Sequence, residues 1–153
     1  MDHLDFMRLA YEEALKALKL NEVPVGCVIT YQGQVIAKGM NRRHADKTVL
    51  AHAEIIAIRQ ACEFIGDWRL EGCSLYVTVE PCCMCAGAIV QARIDEVVYA
   101  AENKKAGCAG SVMNILQNPG FNHQARVVSG IMRDECSELM TFFFRKYRSS
   151  LQP

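Results

Sequence analysis

Apolar residues recur at helical spacing through Leu4, Met7, Tyr11, Ala14, Leu15 and Leu18, with Glu12, Glu13, Lys16 and Lys19 between them. That spacing predicts an amphipathic first helix ending near Leu20. The period then changes. VPVGCVIT and QVIAKGMN, separated by Tyr31-Gln32-Gly33, predict a β-hairpin. Ile55, Ile58, Cys62 and Ile65 restore helical spacing from His52 to a stop at Gly66. SLYVTV, rich in β-branched and aromatic residues, predicts a third strand. A helix from about Cys82 to Arg93 and the strand EVVYAA follow. GCAGSVMNILQNPGFNH predicts a loop with one short helical turn, ARVVSG a short fifth strand, and DECSELMTFFFRKY a closing helix. Strands alternating with helices imply a sheet covered on both faces. With no repeat, low-complexity tract or linker, the expectation is one α/β/α domain over residues 1–153.

Composition narrows the setting. The chain has 153 residues, half of them hydrophobic and about a fifth charged, which is globular rather than disordered. MDHLDFMRLAYEEALK carries acids throughout and does not resemble a signal peptide. No run approaches the roughly 18 to 20 apolar residues of a membrane span. A cytoplasmic protein without a membrane partner is expected, with its thiols reduced. The eight cysteines then serve packing or chemistry rather than a disulfide framework. Equal numbers of basic and acidic residues, 17 each, exclude a globally basic nucleic-acid binder. Local positive clusters remain at Asn41-Arg42-Arg43-His44, Lys104-Lys105 and Arg145-Lys146-Tyr147-Arg148.

Cys27, Cys62, Cys73 and Cys136 each sit alone in an apolar pattern and read as small buried hydrophobes, as does Cys108. VEPCCMCA is different. Pro81 suits a helix start and forces Glu80 into an extended conformation. Residues three apart share a helix face, so Cys82 and Cys85 point to one place, where the helix dipole favours thiolate. Cys83, about 100° further round, reads as packing. A bare CxxC also fits a redox pair. Ala51-His52-Ala53-Glu54, upstream, decides for metal. His52, Cys82 and Cys85 offer three zinc ligands, and Glu54 lies beside the metal without binding it. Three ligands with an open fourth position mark catalytic zinc; Cys108 and His123 are stray candidates for a further ligand. Water on such a zinc has its pKa lowered toward about 7. Glu54 then fits the proton shuttle that attack on an amidine-like carbon requires.

H-x-E and P-C-x-x-C, spelled here by His52–Glu54 and Pro81–Cys85, resemble the signature of the zinc-dependent cytidine/nucleobase deaminase superfamily. Nearly the whole chain, from about residue 4 to 148, is similar to bacterial tRNA-specific adenosine deaminases. The similarity runs through EVPVG at 22–26, GMNR at 39–42, LYVTVEPC at 75–82, MCAGA at 84–88, GCAGS at 107–111, Asn122-His123, DEC at 134–136 and FFR at 143–145. The resemblance implies a three-layer, cytidine-deaminase-like fold with a central five-stranded mixed sheet and one Zn2+ per chain. It implies hydrolysis of adenosine to inosine at the wobble position of a tRNA anticodon loop, with ammonia released. Glu54 would protonate N1 of the base and then pass a proton to the departing ammonia.

The same resemblance places Asn41 on the target nucleotide, the backbone around Ala53 on the base, and Phe144 and Arg145 against the anticodon loop. It adds Asn103 and Lys105 as substrate contacts and a homodimer whose RNA site uses both subunits. Taken alone, Asn41 is a turn residue, and Lys104, Lys105 and Arg148 are solvated surface. Phe142, Phe143 and Phe144 cannot share one helix face, so at least one is exposed, for base stacking or a dimer contact. The family often has Pro-Thr before Ala-His-Ala-Glu, where this chain has Val49-Leu50. It commonly has aspartate where Asn103 stands, which leaves Asn103 or Glu102 as the ribose contact. Two rival functions share these motifs: a deaminase of free bases, nucleosides or nucleotides, and a non-catalytic zinc-stabilised RNA-binding module.

Overall fold

The computed structural model describes residues 1–151, with side chains through Tyr147. The Arg148 side chain and residues 152–153 lie outside that range. The elements run α1 (His3–Lys19), β1 (Gly26–Tyr31), β2 (Gln34–Met40), α2 (Ala53–Ile65), β3 (Cys73–Val79), α3 (Cys83–Gln91), β4 (Glu96–Ala101), β5 (Arg126–Ser129) and α4 (Arg133–Leu151). The sheet order is β2-β1-β3-β4-β5. β1 pairs antiparallel with both β2 and β3, while β3, β4 and β5 run parallel. The expected five-stranded mixed sheet is present.

Local chemistry explains the boundaries. Asp2 and Asp5 close a reciprocal capping box at the start of α1, and Lys16 and Lys19 sit in its last turn. Gln32 and Gly33 both take positive φ, 51° and 76°, the two-residue turn whose twist suits a hairpin. Gly66, left-handed at φ 82°, ends α2. Between Cys108 and His123 the expected helical turn is absent. The amides of Ala109 and Ser111 bond to the Glu80 carboxylate instead, and Ala109 bridges Asn114.

Strand alternation sends Cys27, Ile29, Leu75, Val77, Val97 and Tyr99 to one core, with α2 and α3. Val28, Tyr76, Val98 and Ala100 face the other core, with Phe6, Met7 and Ala10 of α1 and Cys136 of α4. Hence α1 and α4 cover one face, and α2 and α3 the other. One detail differs from the hydrophobic pattern. α2 buries Ala53, Ala57 and Ala61 fully, whereas Ile55, Ile58, Cys62 and Ile65 are only half-buried. The cause is close backbone approach: a Cβ on Gly39 of β2 would overlap the Ala53 carbonyl and press on the Ala57 amide. Small residues let α2 lie against β2 at this distance. Among the described residues, no helix is long and apolar enough to cross a membrane.

Candidate active site

Two helix starts meet at the carboxyl end of β3, where α/β sheets place their ligand crevices. β3 ends at Val79, and Glu80-Pro81 leads to Cys82, which is the N-cap of α3 rather than its first full residue. Cys85 lies in the first turn, so the two thiols still share a side. His52 is the N-cap of α2, in extended conformation and with no side-chain capping bond. Its Nδ1 lies 3.6 Å from the Cys82 sulfur and 3.5 Å from the Cys85 sulfur. All three donor atoms fall within 4.8 Å of one another. A tetrahedral zinc, with nitrogen at about 2.0–2.1 Å and sulfur at about 2.3 Å, would separate them by about 3.6 Å. The donor set therefore fits zinc in both chemistry and spacing.

The electrostatics match. The Cys85 thiol donates to Cys82, which holds the Cys82 thiol well below its ordinary value; burial opposes this and His52 assists it. Cys85 is pushed up by that same bond and by burial. His52 is raised chiefly by its bond to Cys82. The Cys82 sulfur is thus the one held toward thiolate, with Cys85 and His52 as its hydrogen-bonding neighbours. Glu54, 4% exposed in the first turn of α2, is pushed up to about 7 by burial. Its own backbone N–H works against the rise, and Cys82 adds to it. A carboxyl that exchanges its proton near neutrality is poised for acid–base work.

His52, Glu54 and Cys82 line an open cavity of about 900 Å³, with the Cys85 thiol buried behind them. Asn41, Ala53, Asn103, Lys105, Phe144 and Arg145 all border it, and Cys85 joins through the donor cluster, so the expected site residues are brought together. Asn41 is nonetheless also the turn residue it resembled: its side chain donates to Val23 O and accepts from the Arg43 amide. One donor and one acceptor site of that amide remain. Asn103 Oδ1 accepts from the Ala106 amide, and Glu102 is drawn into an ion pair with Arg133 at 2.7 Å. Of the two ribose candidates, Asn103 is the one left with free amide hydrogens. Phe142 and Phe144 are exposed and Phe143 half-buried, and Val49 and Leu50 are also exposed.

Other expectations need correction. Cys83 is exposed rather than packed, because an N-terminal helix residue one step beyond the metal face points to solvent. Cys62 is half-buried, its thiol near Trp68 O, while Cys27, Cys73, Cys108 and Cys136 are buried. His123 Nε2 donates to Ile94 O at 2.7 Å and, like Cys108, is absent from the donor cluster. Two residues escaped sequence reasoning. Glu22, fully buried, accepts from the amides of His44 and Ala45 at 3.1 and 2.7 Å. Glu80 binds the loop after β4. Their one sequence signal was an acid abutting an apolar strand, VPVG for the first and LYVTV for the second.

A sheet of this order carrying His-Cys-Cys and a buried glutamate at the parallel strand ends defines a deaminase. Residues 1–148 match the family model of the MafB19-like deaminases. The tRNA-specific adenosine deaminase of Bacillus subtilis (strain 168) is 48% identical over 94% of this chain and 89% of its own. That of Aquifex aeolicus (strain VF5) is 42% identical over 95% and 96%. A structure from work on A-to-I editing by tRNA:A34 deaminases superposes with a TM-score of 0.85 at 44% identity, covering 88% of this chain and 98% of that one. The guanine deaminase of Bacillus subtilis gives 0.66 at 32% identity, covering 97% and 95%. The chain belongs to the tRNA-specific adenosine deaminase family.

Proposed function

We propose that this chain hydrolyses adenosine to inosine at the wobble position of a tRNA anticodon loop, releasing ammonia. The observation that carries the reading is Glu54, buried beside three metal donors on the floor of a cavity with a cationic, aromatic rim. Two findings support RNA over a free base. The greater likeness is to a tRNA deaminase rather than a guanine deaminase, and the rim presents Arg43, Lys105, Arg145 and exposed Phe144 to solvent.

His52, Cys82 and Cys85 would hold one zinc ion, which supplies a water acidified toward neutral pH. Glu54 accepts the proton of the water that adds to C6 and delivers one to N1. It then takes the proton of the new C6 hydroxyl and delivers it to the departing amine as the C6 carbonyl forms, so one water enters and one ammonia leaves. Asn41 uses its remaining donor and acceptor on the target nucleotide, and the start of α2 at Ala53 lies against the base. Phe144 stacks on a neighbouring base. Lys105 and Arg145 meet phosphates, and Asn103 meets the sugar. The whole chain, 1–153, works as one domain. It pairs as a homodimer, a reading supported by the half-buried Ile55, Ile58 and Ile65 stripe of α2. Eight unpaired cysteines support a cytoplasmic setting.

The test assays an anticodon stem-loop with adenosine at the wobble position for inosine, beside free adenosine, cytidine and guanine for ammonia release. Inosine on the stem-loop with the free compounds inert supports the reading. Turnover of guanine alone replaces it with the free-base function.

A further inference from the structure

Glu80 is a second buried carboxylate at the cavity, and the proposed chemistry leaves it without a task. It is 2% exposed, stands one residue past β3, and is not among the metal donors. Four donors converge on its two oxygens. Oε1 accepts from the Asn103 amide at 3.1 Å and from the Ser111 hydroxyl in a short bond. Oε2 accepts from the amides of Ala109 and Ser111 at 2.9 and 3.1 Å. An ionised carboxylate has about four lone-pair sites, so its acceptor capacity is filled. All four donors belong to one stretch, residues 103–111.

That stretch is folded around the carboxylate. The Gly107 amide bonds to Asn103 O and the Cys108 amide to Pro81 O. Gly107 leaves room for Glu80, since a Cβ there would overlap the carboxylate. Charge-assisted bonds are roughly twice as strong as neutral ones, and in a buried setting they hold a loop that would otherwise open easily. The same stretch carries Asn103, Lys104 and Lys105 to the cavity rim.

We infer that Glu80 is a positioning residue for the substrate: its buried carboxylate shapes residues 103–111 so that Asn103 and Lys105 meet the sugar and phosphate of the target nucleotide. This rests on the RNA reading above. Glu80 does not touch the reacting atoms; it acts through the loop.

Glu80→Gln tests it in the full-length, zinc-loaded protein. The substitution keeps size but turns one acceptor into a donor facing backbone N–H groups. Zinc content, kcat and KM on the anticodon stem-loop, and hydrogen exchange at the Asn103, Ala109 and Ser111 amides are measured. The expected result is retained zinc and KM raised roughly 10- to 100-fold, the scale of a misplaced substrate contact. The change in kcat is smaller, and protection is lost at those amides. Adding Lys105→Ala should cost less than the separate effects predict, because both act on one contact. Ser111→Ala, which removes one donor and keeps the carboxylate, should raise KM in the same direction by less, and serves if Glu80→Gln does not fold. An unchanged KM in either folded variant, or a fall in zinc and kcat at constant KM, overturns the inference and leaves Glu80 a support of the metal site. Wild-type protein that forms no inosine on the stem-loop overturns the RNA reading, and this inference with it.

Discussion

Replacing Glu54 by glutamine separates catalysis from stability. The side chain is buried, and its carboxyl stands at about 7 instead of the usual 4.5, mainly through desolvation. Glutamine fills the same space but exchanges no proton. A general acid–base group contributes roughly 100- to 10,000-fold, about 3 to 5 kcal/mol of barrier, so turnover on the stem-loop should fall by that factor with zinc retained. Stability should move the other way. A carboxyl raised in the folded state binds its proton more tightly than in the unfolded chain. Its contribution is fully present below about pH 4.5 and is lost as pH rises through about 7. The full loss is on the order of 3 kcal/mol. Zinc-stripped Glu54→Gln should therefore gain stability relative to zinc-stripped wild type as pH rises from about 4.5 to 7, then run level. Urea melts across pH 4 to 9 measure this, beside inosine formation by the zinc-loaded proteins. Activity above about a tenth of wild type would remove Glu54 from the chemistry. A stability difference that does not vary with pH would mean the carboxylate is solvated, contrary to its burial.

Four further outcomes are expected. Alanine at His52, Cys82 or Cys85 should lower bound zinc, whereas Cys83→Ala should leave about one ion per chain by atomic absorption; a zinc-replete Cys85→Ala protein would misplace the site. A thiol reagent should label Cys83 first in the zinc-loaded protein, since Cys73 and Cys136 are buried and pushed up to about 11 and 12 by desolvation. Mass mapping that finds Cys136 ahead of Cys83 would contradict this. Gly39→Ala should cost roughly 1 to 3 kcal/mol of overpacking against α2, lowering Tm by several degrees and weakening zinc at His52; an unchanged melt would mean α2 sits further from β2. Removing Arg145 should flatten the salt dependence of stem-loop binding by roughly 0.7 in log–log slope per lost phosphate contact, and an unaltered slope would place the cationic groove elsewhere.

Sequence alone determined much of this protein, because its strongest signals are local. Period-2 and period-3.6 patterns placed five strands and four helices, since side-chain direction along an isolated element follows from backbone geometry. His52, Cys82 and Cys85 were legible as a donor set because their residue types and their places at two helix starts are local features of the chain. Tertiary structure decided what depends on the approach of distant backbones. α2 turned its alanines inward because Gly39 admits the helix so closely, and no periodicity in α2 records a glycine on another strand. Glu22 and Glu80 each abut an apolar strand in the sequence and carry no local signal of burial. Only the folding of two loops, more than twenty residues further along, supplied the amides that hold them buried. Glu102 is paired with Arg133, thirty-one residues later in the chain. A carboxylate's role is set by the donors around it, and those donors come from segments whose meeting only the three-dimensional packing decides.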